Sequence, residues 1–362
     1  RHCNTLTSRT RDPMKNYLLI VPALYFLVAG FVSKEGTGAE DFSSACAVAG
    51  NDAATRTVTG ADRQWLFLKS ELEHLGTGAF WTKDWKTVSK SGTDPVPVLL
   101  ALNEKLSALG VEFIYVPVPA KAVVYPDKFT AGVNMKGKLP VEGAVTPVAP
   151  FLEKLSSGGI TVIDIEPILR ANRISGGERS YCKTDSHPTP WTCELIAKRV
   201  AGMLAGEQWA KQSAKASMLS FVKGEPEMRA IKGDLIPEAE RDAWDAEEVV
   251  VSHAGVKQGD AIRSVPPDGE SSPVILLGDS HTLIFHEGGD MLMSGAGVAD
   301  HLQAALGFKV YLAASRGSSS QAQRQIYKGA EFWKGKKALV WVSSVREFTR
   351  ERKWLKLPRL PK

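Results

Sequence analysis

Short apolar runs rich in β-branched residues recur along this chain, and segments of helical periodicity separate them. The densest run, Val111–Val118, is almost entirely apolar, which is typical of a strand buried on both faces. We predict further strands at 160–165, 273–278, 309–314 and 337–342, and helices at 99–109, 150–159, 194–205, 298–306 and 319–333. This alternation predicts an α/β fold, with a doubly wound, mostly parallel sheet and helices on both faces.

The first 60 residues differ in composition from the rest. Residues 1–13 are polar and precede Met14, so we interpret them as an upstream extension. The apolar run Tyr17–Val32 predicts a signal peptide or an N-terminal membrane anchor over 14–45. Residues 46–60 are predicted to be a linker, and 61–362 the functional domain. A chain with this organisation is expected in the periplasm, with tethering to the inner membrane as the alternative if the segment is not cleaved.

Charge and cysteine content restrict the classes of partner. The formal net charge of +5 suits an anionic polymer or anionic lipid, but it is too small to predict nucleic-acid binding. The four cysteines fit no zinc-ligand spacing, and we predict neither a metal nor a cofactor. In an oxidising compartment Cys182 and Cys193 are close enough in sequence to form a disulfide; the alternative is that both are small buried apolar residues.

Two short motifs carry nucleophile chemistry. Ser280 follows the apolar strand 273–278 on a glycine-containing turn, which is where an exposed nucleophile is expected. Asp185 and His187 are two residues apart, so an extended backbone directs their side chains to the same side. We predict a triad in which His187 takes the proton of Ser280 and Asp185 orients the imidazole. Each motif alone is common by chance.

Further polar residues lie at predicted strand ends, where α/β sheets carry their sites. Gly317 can offer a backbone N–H to an oxyanion, and Arg316 and Arg346 can hold a carboxylate or an acyl oxygen. His281 is next to the proposed nucleophile and is a candidate to line the site. The alternative for the two arginines is an ordinary surface position.

Several blocks in one order resemble the exported SGNH-like polysaccharide O-acetyltransferases, typified by the alginate O-acetylation proteins AlgJ and AlgX. The resemblance covers most of residues 61–350. Its blocks are 61–68 (ADRQWLFL), 116–126 (with PVPAK and YP), 181–187 (YCKTDSH), 276–282 (LLGDSHT), 314–318 (ASRGS) and 340–349 (VWVSSVREFT). The motif order is permuted relative to ordinary SGNH hydrolases. We expect the chain to lack the carbohydrate-binding module of AlgX, so AlgJ is the closer match.

The resemblance implies acetyl transfer through an acetyl-Ser280 intermediate to hydroxyls of an exported polysaccharide, either anionic such as alginate or neutral. It implies a membrane-bound O-acyltransferase as acetyl donor and other polysaccharide synthesis and export subunits as partners. Tyr125 and Lys121 would then contact substrate. Pro188 replaces the tryptophan that usually follows the catalytic histidine, and no strand-end asparagine is evident, so the oxyanion donors stay open.

Two other functions remain compatible with the sequence. An acetylesterase uses the same triad, because only the competition between water and sugar at the acyl-enzyme differs. A polymer-binding subunit without turnover is the third possibility. Trp65, Trp81 and Trp85 can stack on sugar rings or pack in the core.

Overall fold

The computed structural model describes residues 38–131, 148–267 and 269–354. The strands in these residues are β1 (Thr57–Thr59), β2 (Leu66–Leu68), β3 (Glu112–Val118), β4 (Thr161–Val162), β5 (Phe221–Lys223), β6 (Glu227–Ile231), β7 (Glu247–Val251), β8 (Ala254–Gln258), β9 (Ala261–Arg263), β10 (Val274–Gly278), β11 (Tyr311–Ala314) and β12 (Ala338–Ser344). The helices are α1 (Gly38–Asp52), α2 (Lys69–Leu75), α3 (Trp85–Val88), α4 (Pro95–Ala108), α5 (Lys121–Val124), α6 (Pro126–Phe129), α7 (Ala149–Ser157), α8 (Glu166–Ile174), α9 (Pro190–Leu204), α10 (Gln208–Ala216), α11 (Val298–Leu306), α12 (Ser319–Ala322), α13 (Ala330–Trp333) and α14 (Glu347–Arg350).

Five parallel strands form the central sheet in the order β11-β10-β12-β3-β4. Every residue of β10 and β12 is buried, as is β3 from Phe113 onward. Successive side chains of a strand point to opposite faces, so burial of all of them requires cover on both faces of the sheet. The predicted α/β class with a parallel sheet is therefore confirmed.

The strand register brings four strand ends to one edge of the sheet. Gly278 at the end of β10 pairs with Ala314 of β11 on one side and with Val342 of β12 on the other. β12 in turn runs beside β3, with Ser344 opposite Val118. The turns that follow these strands consequently lie next to one another, as expected for a parallel sheet.

Most predicted elements appear, with shifted ends. α4 begins earlier than predicted, because the Asp94 side chain accepts the N–H of Val96 at 2.9 Å and caps the helix. The predicted strand 160–165 shortens to β4, since Asp164 accepts the N–H of Glu166 at 3.0 Å and the chain turns into α8. The predicted helix 319–333 is divided into α12, a 3₁₀ turn at Gln323–Ile326, and α13.

The N-terminal boundary differs from the prediction. The predicted linker 46–60 and the end of the predicted signal segment contain α1, and the compact unit of the chain begins at Gly38. Phe42 and Cys46, one helical turn apart, are buried in the main core, and α1 packs on α2. Small residues are typical of a linker, but here they allow α1 to pack closely on the end of α2, where Ala47 faces Gly76. The extension and the apolar run Tyr17–Val32 lie outside the described residues.

The predicted disulfide is wrong in this structure. Cys46, Cys182 and Cys193, the cysteines that the structure describes, are buried free thiols. Cys182 Sγ lies 3.9 Å from the carbonyl oxygen of Pro188, and burial raises the pKa of both the Cys182 and Cys193 thiols. The alternative, two small buried apolar residues, describes them better.

The charged stretch after α10 forms two small antiparallel sheets, one with the order β5-β8-β9 and one made of β6 and β7. We call residues 217–267 the β insertion. Across the ranges that the structure describes, no helix has both the length and the apolar character needed to cross a bilayer.

The Cys182 and Cys193 thiols should be chemically free. When the denatured, unreduced protein is alkylated and digested, we expect Cys182 and Cys193 to be labelled. Adding a reductant should leave the thermal unfolding midpoint unchanged. Recovery of a peptide pair linked through these two residues would contradict the structure.

Candidate active site

The proposed nucleophile lies on a turn that the sheet itself holds. Ser280 opens a 3₁₀ turn directly after β10, and the Asp279 side chain caps that turn by accepting the N–H of His281 at 2.8 Å. The other oxygen of Asp279 accepts the N–H of Ser344 at 3.0 Å, which fixes the turn to the end of β12. Burial opposes ionisation of Asp279, but its contacts with His281 and the charge of Arg346 keep its pKa well below the ordinary value.

Asp185, His187 and Ser280 form a continuous hydrogen-bonded chain. His187 Nε2 is 2.7 Å from Ser280 Oγ, and His187 Nδ1 is 2.6 Å from Asp185 Oδ1. The three residues are only 1%, 5% and 6% exposed, respectively. Because a carboxylate only accepts hydrogen bonds, Nδ1 carries the proton and Nε2 is free to accept that of the serine.

Asp185 and His187 each stabilise the charged form of the other. Burial disfavours the charged form of His187, but the adjacent Asp185 carboxylate more than offsets this and raises the histidine pKa. Burial likewise acts against Asp185, yet His187 and the backbone N–H groups of His187 and Asp234 lower its pKa to about 2. An ionised Asp185 beside His187 stabilises the imidazolium that forms during proton transfer.

The segment Tyr181–His187, here named the catalytic loop, is irregular backbone in the interior of the protein. Side chains from distant parts of the chain supply the hydrogen bonds that its backbone needs. Glu247 of β7 accepts the N–H groups of Lys183 and Thr184, each at 2.7 Å. Asp234 accepts the N–H of Ser186 at 2.7 Å, and its own N–H donates to Asp185 Oδ2.

Lys121 binds carbonyl oxygens of the same catalytic loop. Its Nζ donates to the carbonyl oxygens of Cys182 (2.9 Å), Lys183 (3.1 Å) and Asp185 (2.7 Å), and to that of Leu66 in β2 (2.6 Å). The side chain is fully buried, and burial lowers its pKa. The predicted contact between Lys121 and substrate is therefore wrong, because the ammonium is used inside the protein.

Tyr125 also serves the loop and not the surface. Its hydroxyl accepts the N–H of Ser180, its ring lies 4.4 Å from that of Trp65, and the Arg173 guanidinium covers it at 4.5 Å. The residue is 5% exposed, so a substrate contact is not what the structure shows. Trp65 packs in the core, and Trp81 and Trp85 pack around Phe80.

The β insertion makes one close backbone contact with the catalytic loop. A Cβ on Gly233 would lie 2.2–2.3 Å from backbone atoms of Thr184 and Asp185, so only glycine fits there. Asp234 comes next in the chain, and this approach is what places its carboxylate on Ser186. Sequence reasoning missed Asp234 and Glu247, because they lie in a charged stretch without helical or strand periodicity.

Two strand-end arginines flank the nucleophile turn. Arg316 follows β11 and is half exposed, and its guanidinium binds Glu287 at 2.7 Å and Asp290 at 2.5 Å. Arg346 follows β12 and is almost buried, with Nη1 3.5 Å from Glu71 Oε1. Gly317 has a left-handed φ of 80°, and the space beside its Cα is open.

A cleft of about 370 Å³ opens at this edge of the sheet. Its cationic lining residues are Lys90, Arg316, Arg346, Arg350 and Arg352. Of its two carboxylates, Glu347 is buried and accepts the N–H and hydroxyl of Ser319 at 2.7 Å. Burial raises the pKa of Glu347 well above its ordinary range. Cationic side chains outnumber carboxylates in the lining of the cleft.

One group of residues has atoms placed closely enough to hold a metal ion. Ligand-type atoms of Asp185, His187 and Asp234 lie within 4.8 Å of one another. Hydrogen bonds already engage them: Asp185 with His187, and Asp234 with Ser186 and with Arg56 Nη2 at 2.7 Å. Two of these residues thus belong to the triad, and the third, Asp234, supports it through Ser186.

A parallel sheet with an Asp–His–Ser chain at its carboxyl edge is the arrangement of serine-dependent α/β hydrolases and transferases. Residues 58–342 match the family model of the SGNH hydrolase-like domain of the acetyltransferase AlgX. The chain therefore belongs to this SGNH-like family.

Known relatives extend the comparison. The "probable alginate O-acetylase AlgJ" of Pseudomonas aeruginosa is 24% identical over 172 residues, which is 48% of this chain and 38% of that protein. The chain thus matches well under half of this relative's length. The solved O-acetyltransferase domain of Pseudomonas putida AlgJ has a TM-score of 0.55 at 18% identity and covers 81% of this chain and 92% of that one. Pseudomonas aeruginosa AlgX has a TM-score of 0.52 at 19% identity, covering 80% and 62%. Both share the fold, and the match is fuller for AlgJ, as predicted.

Removing the buried ammonium should unfold the site. We expect Lys121→Met to lower the free energy of unfolding by about 3–5 kcal/mol, because carbonyl groups of the catalytic loop lose their buried donor. Urea denaturation would measure the loss. Lys183→Met is the matched control, since the Lys183 ammonium bonds to Gln64 near the surface, and it should change stability by only about 0.5 kcal/mol. Equal losses in the two variants would contradict this role of Lys121.

Proposed function

We propose that this protein transfers acetyl groups to hydroxyls of an exported polysaccharide, alginate or a similar polymer, through an acetyl-Ser280 intermediate. The observation that carries the proposal is the Asp185–His187–Ser280 chain, with its 2.6 Å and 2.7 Å hydrogen bonds, in a member of the acetyltransferase family. Ser280 is the nucleophile, His187 the general base and acid, and Asp185 the residue that orients and stabilises His187.

The reaction has two balanced halves. Ser280 Oγ attacks the acetyl carbonyl of the donor while His187 Nε2 takes its proton. When the bond to the donor's leaving group breaks, His187 returns that proton to the leaving group. A sugar hydroxyl then attacks the serine ester and gives its proton to His187, which passes it to Ser280 Oγ as the ester bond breaks.

Backbone donors are available for the oxyanion of each tetrahedral intermediate. Ser280 is the first residue of its 3₁₀ turn, where an N–H has no acceptor inside the turn. Gly317 lies on the turn after β11, the strand next to β10, and its N–H is the second donor of the proposal. We assign the oxyanion contact to these two groups.

The positive cleft fits a polymer that carries carboxylates. Arg346, Arg350 and Arg352 present guanidinium groups to it, and guanidinium matches the two oxygens of a uronic acid carboxylate. Arg316 contributes after exchange of its exposed ion pairs with Glu287 and Asp290, which water already weakens. The acceptor we favour is therefore a polyuronate.

Transfer is favoured over hydrolysis by the burial of the site. Ser280 and His187 are almost completely covered, and exclusion of water protects an acyl-enzyme until a sugar hydroxyl arrives. We place the protein in the periplasm, where the predicted signal or anchor segment would direct it. The acetyl donor there is a membrane-bound O-acyltransferase, and the partners are other subunits of polysaccharide synthesis and export.

The covalent intermediate provides the direct test. The purified protein is incubated with an activated acetyl ester, with and without oligomannuronate, and followed by intact-mass analysis. We expect an acetyl adduct that Ser280→Ala cannot form and that moves to the oligosaccharide. Release of acetate without acetylated sugar would indicate an esterase. If the wild type and Ser280→Ala behave alike, the triad is wrong and a polymer-binding subunit becomes the better description.

The cleft can be tested separately from the triad. Arg352→Ala should raise KM for oligomannuronate about two- to fivefold at low salt with kcat unchanged, because one exposed charge pair contributes about 0.2–1 kcal/mol. Added salt should reduce the difference. Arg263→Ala is the control, since Arg263 is an exposed arginine on β9 outside the cleft. An equal KM effect in both variants would assign the effect to net charge.

A further inference from the structure

The tripeptide Asp-Ser-His occurs twice in the chain, at Asp185–His187 and at Asp279–His281. In both copies the aspartate makes the same two contacts with the histidine. Asp185 Oδ1 accepts the backbone N–H of His187 at 2.9 Å and faces its Nδ1 at 2.6 Å. In the second copy Asp279 Oδ1 accepts the N–H of His281 and faces its Nδ1, both at 2.8 Å. The active site therefore contains two aspartate–histidine pairs of equal construction.

The two pairs differ in what the outer ring nitrogen contacts. His187 Nε2 bonds to Ser280 Oγ, whereas His281 Nε2 is buried and has no hydrogen-bond partner among the described residues. A buried polar atom without a partner is costly and calls for a reason. Because His281 is only 1% exposed, a sugar cannot reach it in this conformation.

The neighbour of the His281 ring is the catalytic base itself. The two imidazole rings lie with centroids 5.1 Å apart and an interplanar angle of 65°, an edge-to-face contact. Asp279 fixes the orientation of the His281 ring, and the N–H of Ser344 fixes Asp279. A chain of contacts therefore runs from the end of β12 to His187.

We propose that His281 is a positioning residue for His187: held by Asp279, its ring packs against the imidazole of His187 and keeps Nε2 directed at Ser280. This inference rests on the proposed function, since it concerns the base of the same reaction. The bond from Asp185 to Nδ1 leaves the His187 ring free to tilt about the Nδ1–Oδ1 axis. The edge-to-face contact with His281 restricts that tilt, so the distance between Nε2 and Ser280 Oγ stays short.

An aromatic ring also suits the charge that His187 acquires. Proton transfer turns His187 into an imidazolium, and an aromatic neighbour stabilises such a cation. Other charged groups that act on His187 are the carboxylates of Asp185 and Asp234 and the guanidinium of Arg346. Asp279 accepts a hydrogen bond from His281 Nδ1, so Nδ1 carries the ring proton and Nε2 does not. Packing the His281 ring against His187 then leaves Nε2 without a hydrogen-bond partner.

Three substitutions separate this role from the alternatives. His281→Phe keeps a ring, His281→Asn keeps a donor for Asp279 but no ring, and His281→Ala keeps neither. With a chromogenic acetyl ester, we expect His281→Ala and His281→Asn to lower kcat about tenfold to a hundredfold with KM unchanged, since misplacing a catalytic group costs rates of that order. His281→Phe should recover most of the lost kcat.

The outcomes distinguish among explanations. If His281→Asn is active and His281→Phe is as impaired as His281→Ala, the hydrogen-bonding edge of His281 is what matters and the positioning role is wrong. If all three variants lose thermal stability but retain kcat, the residue is only structural and the proposal fails. His286→Phe is the matched control, because His286 forms another buried pair with Asp300 at 2.9 Å and should leave kcat unchanged.

The wild type and Ser280→Ala are measured in the same assay. A rate that does not depend on Ser280 would overturn the proposed function itself, whatever the His281 variants do. A Ser280-dependent rate that is insensitive to all three His281 variants would overturn only the positioning role.

Discussion

A buried ammonium group determines the shape of this active site. Lys121 places one positive charge among four carbonyl oxygens, three of which belong to the catalytic loop. An ammonium has only donors and a carbonyl only accepts, so the loop can turn inward without unpaired oxygens. The carboxylates of Glu247 and Asp234 accept hydrogen bonds from N–H groups of the loop. Irregular backbone can support Asp185 and His187 because both its carbonyl groups and its N–H groups have side-chain partners.

The parallel sheet supplies the other half of the site. Ser280 leaves the end of β10 between the ends of β11 and β12, and Asp279 is bonded to the backbone of β12. The nucleophile is thus fixed by strands, while its base is fixed by side chains from distant segments. Their 2.7 Å contact joins two independently supported parts of the protein. For this reason the serine motif alone cannot predict an active site: the histidine and its supporting side chains come from other parts of the chain.

The sequence was informative where a local pattern determines the structure. Apolar runs predicted the strands of the central sheet, and the strand-end rule led to Ser280, because both depend on neighbours along the chain. Lys121 could not be assigned in this way: a lysine after a strand has the same appearance whether it faces a polymer or four carbonyls. The cysteines illustrate the same limit, since closeness in sequence predicted a disulfide between two residues that the structure shows as free thiols. Asp234 and Glu247 act across long separations, and no periodicity marks them.

The β insertion has a consequence for how this domain can change. Its two small sheets are separate from the central sheet, so the topology alone would suggest that the insertion can be removed. The insertion nevertheless contains Gly233, Asp234 and Glu247, which contact the catalytic loop directly. Exchange of this segment between homologues, or its shortening by deletion, would therefore remove groups that hold the catalytic loop in place. We therefore expect substitutions in the β insertion and in the catalytic loop to depend on one another.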